Sequence, residues 1–436
     1  MATSLSVYLH GSPVGRLWLD EQRRFAFQYD PRWLDNKDAI PLSLSLPIQE
    51  RVFDHDAARP FFANLLPEGD LRRAVTRKLG LSEQNDFALL EAIGGECAGA
   101  VSILPEGTSP SAQGEYRPLT EQELHELMGT LPNRPLLAGE EGLRLSLAGA
   151  QYKLPVYAED DRIFLALGAY PSSHILKPPI RDLEGSVANE AFCINLAQAM
   201  GLPVPTAIIR EGIDALYLVE RYDRERGTDG RVRRLHQEDF CQALSLGPDL
   251  KYETEGGPSL QACFKLVRNY SFRPAADVNT LLSWVIFNYL IGNADAHAKN
   301  LSLLLPGSGP RLAPFYDLLS TTVYPHLAAR LAMRIGDEDR PDLIIGRHWE
   351  AFATDVEIRW KLLQEKLKSM SEKIVSASRS LAEHDYRDIG VRVAPGAATE
   401  FQERHGEQSI LPRILEVIEQ RSKRTLLNLE AYEKGK

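Results

Sequence analysis

The sequence predicts an α+β protein whose first half is rich in short antiparallel strands and whose second half is mainly helical. Apolar and polar residues alternate in short runs up to about residue 220, a pattern typical of half-buried strands. Beyond about residue 235, apolar residues recur at helical spacing, most clearly over 355–381 and 411–432. A chain of 436 residues is too long for one ordinary core, so two or three structural units are expected.

The composition is that of an ordinary globular protein, with 44% hydrophobic and 25% charged residues. A formal net charge of -10 argues against a chain whose main role is to wrap nucleic acid, although it leaves room for a local basic patch. The longest apolar run, 281–291, is too short to span a bilayer, and the N-terminus does not resemble a signal peptide. We therefore expect a cytoplasmic protein without membrane contact. The cysteines are scattered along the chain and are expected to be buried thiols: Cys97, Cys193, Cys241 and Cys263.

Residues 1–118 are expected to form an N-terminal subdomain. Its strands are predicted at 4–9, 24–29 and 98–104, and a turn at 10–13 is predicted to join the first of them to a further strand as a pair. A helical stretch at 61–78 is interrupted by Pro67. The segment 105–118 is rich in Pro, Gly and Ser, which indicates a linker and places the first boundary there. Just beyond it, Thr120 and Glu123 predict a capping box at the start of a helix.

Residues 119–234 are expected to form a small antiparallel sheet with one helix. From residue 143 the pattern predicts a strand, a loop and two further strands around an acidic turn at 159–161. A strand at 173–177, a helix at 188–201 and a hairpin around Gly212 follow. The remainder, 235–436, is predicted to be helical apart from a strand pair around 300–305.

The most informative motif is NADAHAKN (293–300), followed by PFYDLLS (314–320). It follows an apolar helix for which Asp277 is the expected N-cap. In kinase catalytic loops, an Asp orients the acceptor hydroxyl, an Asn five residues later holds magnesium, and a later Asp bridges the metals to the phosphates. Asp295, Asn300 and Asp317 match these roles. The sequence therefore predicts a two-lobed, protein-kinase-like fold that uses ATP and Mg²⁺, with 119–234 as the mixed N-terminal lobe and 235–436 as the mainly helical C-terminal lobe.

Further candidate residues lie in the first half of the chain. The loop SLAGAQYK (146–153) offers backbone N–H groups to phosphate, although an ordinary tight hairpin is the alternative. Lys177 ends a strand where a phosphate-binding lysine is expected; a solvated lysine is the alternative. Glu190 either pairs with Lys177 or complements a helix dipole, and the dipole is favoured. The loop residues predicted to contact nucleotide are Ala148, Gly149, Ala150 and Gln151.

Three other features leave alternatives open. The segment 219–223 either offers Glu220 and Tyr222 to adenine as an interlobe hinge or is a charged strand end. His297 is a proton shuttle, a nucleotide or substrate contact, or a packing residue. The arginine-rich run 221–236 either touches nucleic acid or forms a solvated loop, and the solvated loop is favoured.

Several short motifs, taken in order, resemble the HipA family of bacterial serine/threonine kinase toxins. They are LRLSLAGAQYK, SHILKPP, NEAFCINLAQAMGLPVP, LVERYDR, HQEDFCQAL, KYETEGGP, NADAHAKN and PFYDLLS. The earlier segments PLSLSLP, FFANLLPEG and GECAGAVSILPE resemble the N-terminal part of the same family. The resemblance covers essentially the whole chain.

The resemblance implies a kinase that binds ATP with Mg²⁺ and pairs with a HipB-type helix-turn-helix antitoxin, through which it meets operator DNA. It assigns catalysis to Asp295, metal binding to Asn300 and Asp317, phosphate contact to Lys177, and hinge contacts to Glu220 and Tyr222. It also marks Ser146 as an autophosphorylation site. The protein substrate that it implies is an aminoacyl-tRNA synthetase such as glutamyl-tRNA synthetase. The alternatives are a kinase-like small-molecule or lipid phosphotransferase, and a co-repressor that acts through a DNA-binding partner.

Overall fold

The structure, a computed structural model, describes residues 4–111, 113–132, 135–138, 145–383 and 410–435. In chain order, its α-helices are α1 (Pro31–Leu34), α2 (His55–Ala63), α3 (Gly69–Leu79), α4 (Asp86–Ile93), α5 (Glu121–Thr130), α6 (Ser186–Ala199), α7 (Phe240–Ala243), α8 (Leu260–Tyr270), α9 (Pro274–Ile291), α10 (Gly346–Asp355), α11 (Trp360–Glu383) and α12 (Leu411–Lys434). Its strands are β1 (Ser4–Leu9), β2 (Ser12–Leu19), β3 (Phe25–Tyr29), β4 (Val101–Pro105), β5 (Gly114–Leu119), β6 (Leu154–Glu159), β7 (Arg162–Gly168), β8 (His174–Lys177), β9 (Ala207–Glu211), β10 (Ala215–Glu220), β11 (Arg224–Arg226), β12 (Val232–Arg234), β13 (Gln237–Asp239), β14 (Ser302–Leu304) and β15 (Arg311–Leu312).

The chain divides into two compact units. The first unit comprises Met1–Pro178, Glu220–Leu250 and Ser302–Pro310. The second unit comprises Pro179–Val219, Lys251–Leu301 and Arg311–Lys436. The predicted α+β class is confirmed, because both units combine strands with helices. Within the described residues, no helix is long and apolar enough to cross a membrane.

The first unit begins with an antiparallel sheet in the order β3-β2-β1-β4. The predicted turn after β1 is confirmed, with Gly11 in the left-handed region at φ 79°. The predicted helical stretch at 61–78 is two helices, α2 and α3, and Pro67 lies between them as expected. Alternate residues of the sheet and one face of α2 form the core, in which Val7, Phe27 and Phe62 are fully buried.

A second antiparallel sheet in this unit contains β5, β7, β6 and β8 in that order. Its acidic turn is confirmed, and Asp160 and Asp161 both have positive φ. One prediction near this sheet was wrong. The segment 105–118 is not all linker, since β5 pairs with β7 and the Tyr116 ring stacks on Tyr157 at 3.8 Å. The loop predicted at 146–153 is confirmed, and its main-chain groups bond to the segments around residues 67 and 96. Of the strand predicted before it, residues 143–144 lie outside the described part, and Leu145 forms a single bridge to Glu96.

The arginine-rich run 221–236 is not the solvated loop that was favoured. It forms the β11–β12 hairpin, and its residues near the hairpin tip are largely exposed. Arg221 and Asp223, at its start, are buried and ion-paired with each other. Residues that are distant in sequence supply carboxylate and carbonyl groups to the buried guanidinium groups of this run. Such partners cannot be recognised from the local sequence.

Glu238, in β13, is a fully buried carboxyl group in the first unit. It accepts hydrogen bonds from Ser43 Oγ and from Leu44 N, the latter at 3.0 Å, so it holds the PLSLSLP segment. Burial raises the pKa of Glu238 to about 8, although the bond from Ser43 lowers it in part. The raised pKa favours the protonated form of this carboxyl group at neutral pH.

Glu238→Gln is expected to flatten the pH dependence of stability. Because the folded-state pKa is raised, the stabilising contribution of the neutral acid is complete below the ordinary value of 4.5 and is lost as pH rises to about 8. The lost contribution is on the order of 5 kcal/mol at most. Urea unfolding between pH 5 and about pH 8 measures this loss in wild type, in Glu238→Gln, and in the exposed control Glu115→Gln. An equal slope in wild type and Glu238→Gln would contradict it.

In the second unit, α11 and α12 pack against each other and against α9. The apolar core includes Trp284, Phe287 and Phe315. The predicted hairpin around Gly212 is confirmed as β9 and β10. Across both units, the four cysteines are free and buried, as predicted. The helix predicted over 355–381 begins only at Trp360, because α10 ends at Asp355 and Glu357 has φ 54°.

Asp277 is not the N-cap of α9, as the sequence had predicted. The helix begins one turn earlier, with Pro274 at its first position and Arg273 as N-cap. Asp277 is buried in the first turn, where it accepts hydrogen bonds from Ser271 Oγ (2.6 Å) and Leu312 N (2.9 Å). The proline supplies the helix start, and the carboxylate joins the beginning of α9 to β15.

Candidate active site

The candidate catalytic loop leaves the C-terminal end of the buried helix α9. Gly292 ends this helix in the left-handed conformation at φ 76°. A side chain at this position would overlap Thr322 Oγ1, so the close approach also requires glycine. The loop continues through a short 3-10 turn at Ala298–Asn300. Its start is therefore fixed by a rigid, buried element.

Asn293 connects the two candidate acidic residues through their main chains. Its Oδ1 accepts a hydrogen bond from Asp295 N (3.1 Å), and its Nδ2 donates to Asp317 O (3.4 Å). A third bond, from Nδ2 to Asn288 Oδ1 (2.8 Å), holds the amide on α9. Asn293 is 2% exposed. The fold thus brings the NADAHAKN and PFYDLLS segments together, through a residue whose role the sequence did not reveal.

Asp295 is exposed at the surface of the second unit. Its Oδ1 accepts a hydrogen bond of 2.8 Å from the Tyr252 hydroxyl. Lys251 Nζ lies 5.2 Å from the centre of the Tyr252 ring. The sequence did not mark Tyr252 as a site residue; its only signal was a place in KYETEGGP, one of the motifs that carry the family resemblance. A donor on the carboxylate restrains its orientation.

His297 and Asn300 occupy the buried side of the loop. His297 N donates to Asp295 O (2.9 Å), and the imidazole meets the edge of Tyr252 at a centroid distance of 5.4 Å. Asn300 N donates to His297 O (3.0 Å), and the Asn300 side chain is buried. Among the described residues, none donates a hydrogen bond to the buried Asn300 Oδ1. An amide oxygen left in this state suits a hard cation such as Mg²⁺.

Asp317 has a left-handed backbone, with φ 53°. Non-glycine residues seldom adopt this conformation, although Asp and Asn are enriched there, and such residues cluster at functional sites. The neighbouring Tyr316 hydroxyl donates to Lys299 O at 2.6 Å, a second link to the catalytic loop. Nearby, Asn189 on α6 exchanges two hydrogen bonds with the main chain of Ser320. Hydrogen bonds made by residues before and after Asp317 in the chain thus fix its position.

The other candidate residues belong to the first unit. Ser146 is fully buried; its N donates to Glu96 O (2.9 Å) and its Oγ to Leu65 O (2.7 Å). Gly149 has φ 99°, and its carbonyl accepts from Glu68 N (3.1 Å). Lys153 Nζ donates to Ala148 O at 2.6 Å. The loop is therefore a held segment with defined main-chain partners, unlike a free hairpin tip.

Exposure differs among the rest of these candidates. Ala150 is exposed and Gln151 is half-buried. Lys177 is only 5% exposed at the end of β8, so it is not the solvated strand-end lysine of the alternative interpretation. Glu220 is exposed, whereas the Tyr222 hydroxyl donates to Gln237 Oε1 at 3.0 Å.

Within the described residues, no cluster of three or more His, Cys, Asp or Glu side chains could hold a metal alone. A cation at Asn300 and Asp317 would need further oxygen ligands, as Mg²⁺ obtains from phosphates.

The α+β fold, together with an Asp and an Asn on one loop and a second Asp tied to that loop, defines a kinase-like protein. Comparison with known proteins agrees. A profile of the HipA-like C-terminal domain matches residues 145–380, and one of the HipA N-terminal domain matches residues 5–104. The chain belongs to the HipA family of serine/threonine kinase toxins.

Individual relatives support the same assignment. A candidate kinase of Sinorhizobium fredii is 44% identical over 379 residues, covering 86% of this chain and 90% of that protein. The serine/threonine-protein kinase toxin HipA of Shewanella oneidensis is 32% identical over 390 residues, covering 86% of this chain and 88% of that protein. A solved structure of HipA from Shewanella oneidensis, in complex with HipB and operator DNA, superposes with a TM-score of 0.81 at 29% identity and covers 98% of both chains.

Proposed function

We propose that this protein is an ATP-dependent protein serine/threonine kinase and the toxin of a HipA/HipB-type toxin-antitoxin system. The observation that carries the proposal is the amide of Asn293, which bonds to the main chains of both Asp295 and Asp317. Such a link gives the acceptor-orienting and metal-binding groups a fixed relation, and phosphoryl transfer depends mainly on positioning and charge neutralisation. Relatives named as kinases support the assignment.

Each candidate residue has a proposed role in transfer. The acceptor hydroxyl oxygen attacks the γ-phosphorus of ATP, the bond to the β–γ bridging oxygen breaks, and ADP leaves. Asp295 orients the hydroxyl and accepts its proton, while His297 supports the loop and contacts the nucleotide. Mg²⁺, when bound, neutralises phosphate charge, and Asn300 and Asp317 are the residues that would hold it. The proposed nucleotide contacts of the first unit are Ala148, Gly149, Ala150, Gln151, Lys177, Glu220 and Tyr222.

Each of the three regions predicted from the sequence has its own proposed role. Residues 1–118 form the HipA-type N-terminal subdomain. Residues 119–234 contain the nucleotide loop (146–153) and the hinge segment (219–223), and residues 235–436 contain the catalytic loop (293–300). The protein substrate is proposed to be an aminoacyl-tRNA synthetase, such as glutamyl-tRNA synthetase, on the strength of the family resemblance.

The proposed partner is a HipB-type antitoxin, through which the toxin meets operator DNA. Support comes from the Shewanella oneidensis relative, which was solved with HipB and its operator. The net charge of -10 is unfavourable for direct binding, because affinity for the phosphate backbone requires clustered cations. Tight, sequence-selective DNA binding by the isolated chain would contradict this part of the proposal.

Growth measurement tests the toxin function. Expression of the wild-type chain alone is expected to arrest growth, and co-expression with the helix-turn-helix protein encoded beside it is expected to relieve the arrest. Normal growth with abundant, folded wild-type protein would argue against a toxin. Arrest that persists when Asp295 is replaced by Asn would separate toxicity from phosphoryl transfer.

Phosphorylation of Ser146 is expected to weaken nucleotide binding. Phosphate adds about -1.5 to -2 charge, and the buried Ser146 Oγ faces the Leu65 carbonyl oxygen, an acceptor that cannot compensate an anion. The loop must then leave its present position, so the affinity for Mg-ATP is expected to fall ~10-fold or more. Titration of phosphorylated against phosphatase-treated wild-type protein measures the difference. Equal affinities, or a phosphate that maps elsewhere and is absent from Ser146, would refute the switch.

Tyr252→Phe is expected to lower kcat for protein phosphorylation by ~10-fold, because Asp295 loses a hydrogen bond to a charged group. Nucleotide affinity should stay unchanged, since the hydroxyl bonds to the proposed acceptor-orienting group. Steady-state kinetics at saturating ATP measures the change. The matched control is Tyr270→Phe, which removes an exposed hydroxyl from the same unit. A rise in kcat would show instead that Tyr252 competes with the acceptor for Asp295.

A further inference from the structure

A cluster of buried charges lies in the first unit, and none of its members is itself a candidate nucleotide contact. We call it the Glu96 cluster, and its members are Glu96, Ser172, Arg221, Asp223, Arg224 and Arg234. Ser172 is fully buried, and the side chains of Arg221 and Arg224 are 2% and 3% exposed. Burying several ions together is costly unless each finds partners, so their contacts define the arrangement strongly.

The Glu96 carboxylate is the shared acceptor of this cluster. Its Oε1 accepts from Arg224 Nη2 (2.9 Å) and from Ser172 Oγ (2.8 Å), and Arg221 Nη1 lies at 3.4 Å. Arg224 also donates from Nε to Ser172 O at 3.0 Å. One carboxylate oxygen therefore holds the two arginines that begin the run after Glu220.

Asp223 completes the anchoring of the same run. Arg221 donates to both Asp223 oxygens, from Nε at 2.9 Å and from Nη2 at 2.8 Å. Asp223 Oδ2 also accepts from Gly99 N at 2.7 Å. Bidentate pairs of this kind fix geometry as well as charge. The segment 221–224 is thus tied by its side chains to residues 96–99.

The charges of the cluster persist across the physiological pH range. Burial by itself would raise the pKa of Glu96, but the guanidinium groups of Arg224, Arg221 and Arg234 lower it to about 2. Burial and the neighbouring Arg224 lower the pKa of Arg234 to about 10. The cluster therefore holds three guanidinium cations and two carboxylates, Glu96 and Asp223. Loss of the Glu96 charge would leave a single carboxylate to balance the three cations.

The main chain of Glu96 holds the nucleotide loop at the same time. Glu96 O accepts the hydrogen bond from Ser146 N at 2.9 Å, and Glu96 and Leu145 form an isolated parallel bridge. Through its side chain, the same residue binds Arg221 and Arg224 on either side of Tyr222. Glu96 is thus one residue from which both the start of the loop and the hinge segment are fixed.

We propose that Glu96 is a positioning residue that couples the nucleotide loop beginning at Ser146 to the hinge segment around Tyr222. This role rests on the kinase function proposed above, and it deepens that function by naming what holds the two nucleotide-contacting segments in register. Glu96 itself touches neither phosphate nor adenine. Its effect is on the affinity for nucleotide and not on the rate of transfer at saturating nucleotide.

Glu96→Gln is the direct test, because it keeps the shape and removes the charge. Affinity for a non-hydrolysable ATP analogue with Mg²⁺ is expected to fall ~10-fold, with a matching rise in KM for ATP and little change in kcat. The matched control is Glu106→Gln, an exposed carboxylate of the same unit whose partner is Arg16. Unchanged affinity and KM in folded Glu96→Gln would overturn the proposal.

Amide hydrogen exchange supplies a readout that does not depend on nucleotide or catalysis. In Glu96→Gln, exchange is expected to accelerate together over 145–149 and 221–224, with no change in α4. Faster exchange in only one segment would contradict the coupling. If Glu96→Gln does not fold, Ser172→Ala removes the hydroxyl donor from the same carboxylate oxygen and keeps the main-chain donor, so it is expected to cause a smaller acceleration in both segments.

A double-mutant cycle distinguishes coupling from general destabilisation. The loop variant Gly149→Ala and the hinge variant Tyr222→Phe are expected to have non-additive effects on analogue affinity in the wild-type background and additive effects with Glu96→Gln. Additivity in both backgrounds would refute coupling. If the protein binds the analogue normally but transfers no phosphate, the kinase function is refuted. The binding and exchange results would then still decide whether Glu96 couples the two segments.

Discussion

Asp295→Asn is expected to lower phosphoryl transfer by ~10²- to 10⁴-fold, the range typical of losing a positioned acid-base group. The substitution preserves size, and an asparagine oxygen can still accept from the Tyr252 hydroxyl. The main-chain bond from residue 295 to Asn293 is also unaffected. The fold and nucleotide affinity should therefore persist while the proton acceptor is lost. Initial rates with labelled ATP, together with analogue titration, measure the two effects separately.

Asp337→Asn is the matched control for this change. Its carboxylate is 88% exposed in the same unit, so the substitution removes the same charge without touching the catalytic loop. Growth arrest is expected to disappear with Asp295→Asn and to remain with Asp337→Asn. Full transfer activity in Asp295→Asn would remove this residue from the reaction.

Asp317→Asn is expected to abolish most of the Mg²⁺-dependent part of nucleotide binding, a loss of at least about tenfold, and to reduce turnover with it. Asparagine suits this position because it tolerates the left-handed backbone at φ 53°. The effect should therefore come from the lost charge. Calorimetric titration with the ATP analogue, with and without Mg²⁺, measures the change.

Comparison with Asp317→Ala separates charge from backbone strain. Alanine loses the same carboxylate and is also strained at positive φ, so its unfolding midpoint should fall below that of Asp317→Asn while metal-dependent binding is equally weak. If Asp317→Asn binds Mg-nucleotide as wild type does, Asp317 is not a metal ligand.

Local patterns predicted much of the fold. Alternation and turn residues gave the β1–β2 hairpin, the acidic turn between β6 and β7, and the hairpin around Gly212, because each depends on neighbouring residues. The capping box of Thr120 and Glu123 is present, with the Thr120 N to Glu123 Oε2 bond at 2.8 Å. Such signals are short in range and are readable from one sequence.

The errors arose where distant segments supply the partners. The segment 105–118 has the composition of a linker, yet its residues from Gly114 onward pair with β7, a strand that is distant in sequence. Arg221 has the sequence context of a solvated residue, but Glu96 and Asp223 bury it. The same limit explains the site: the Asp295, Asn300 and Asp317 spacing was visible, whereas the amide of Asn293 and the hydroxyl of Tyr252 gain their roles only from contacts across 24 and 43 residues.

Transfer of the labelled γ-phosphate of ATP to protein hydroxyl groups tests the central claim most directly. The purified chain is incubated with Mg²⁺ and a bacterial protein extract depleted of endogenous kinase activity, and phosphoamino acids are then analysed. We expect label on serine or threonine that is lost on chelation of Mg²⁺ and with Asp295→Asn, and that persists with Asp337→Asn. Label that appears only on a small molecule or lipid, or no label from a folded protein that binds the nucleotide, would contradict a protein kinase.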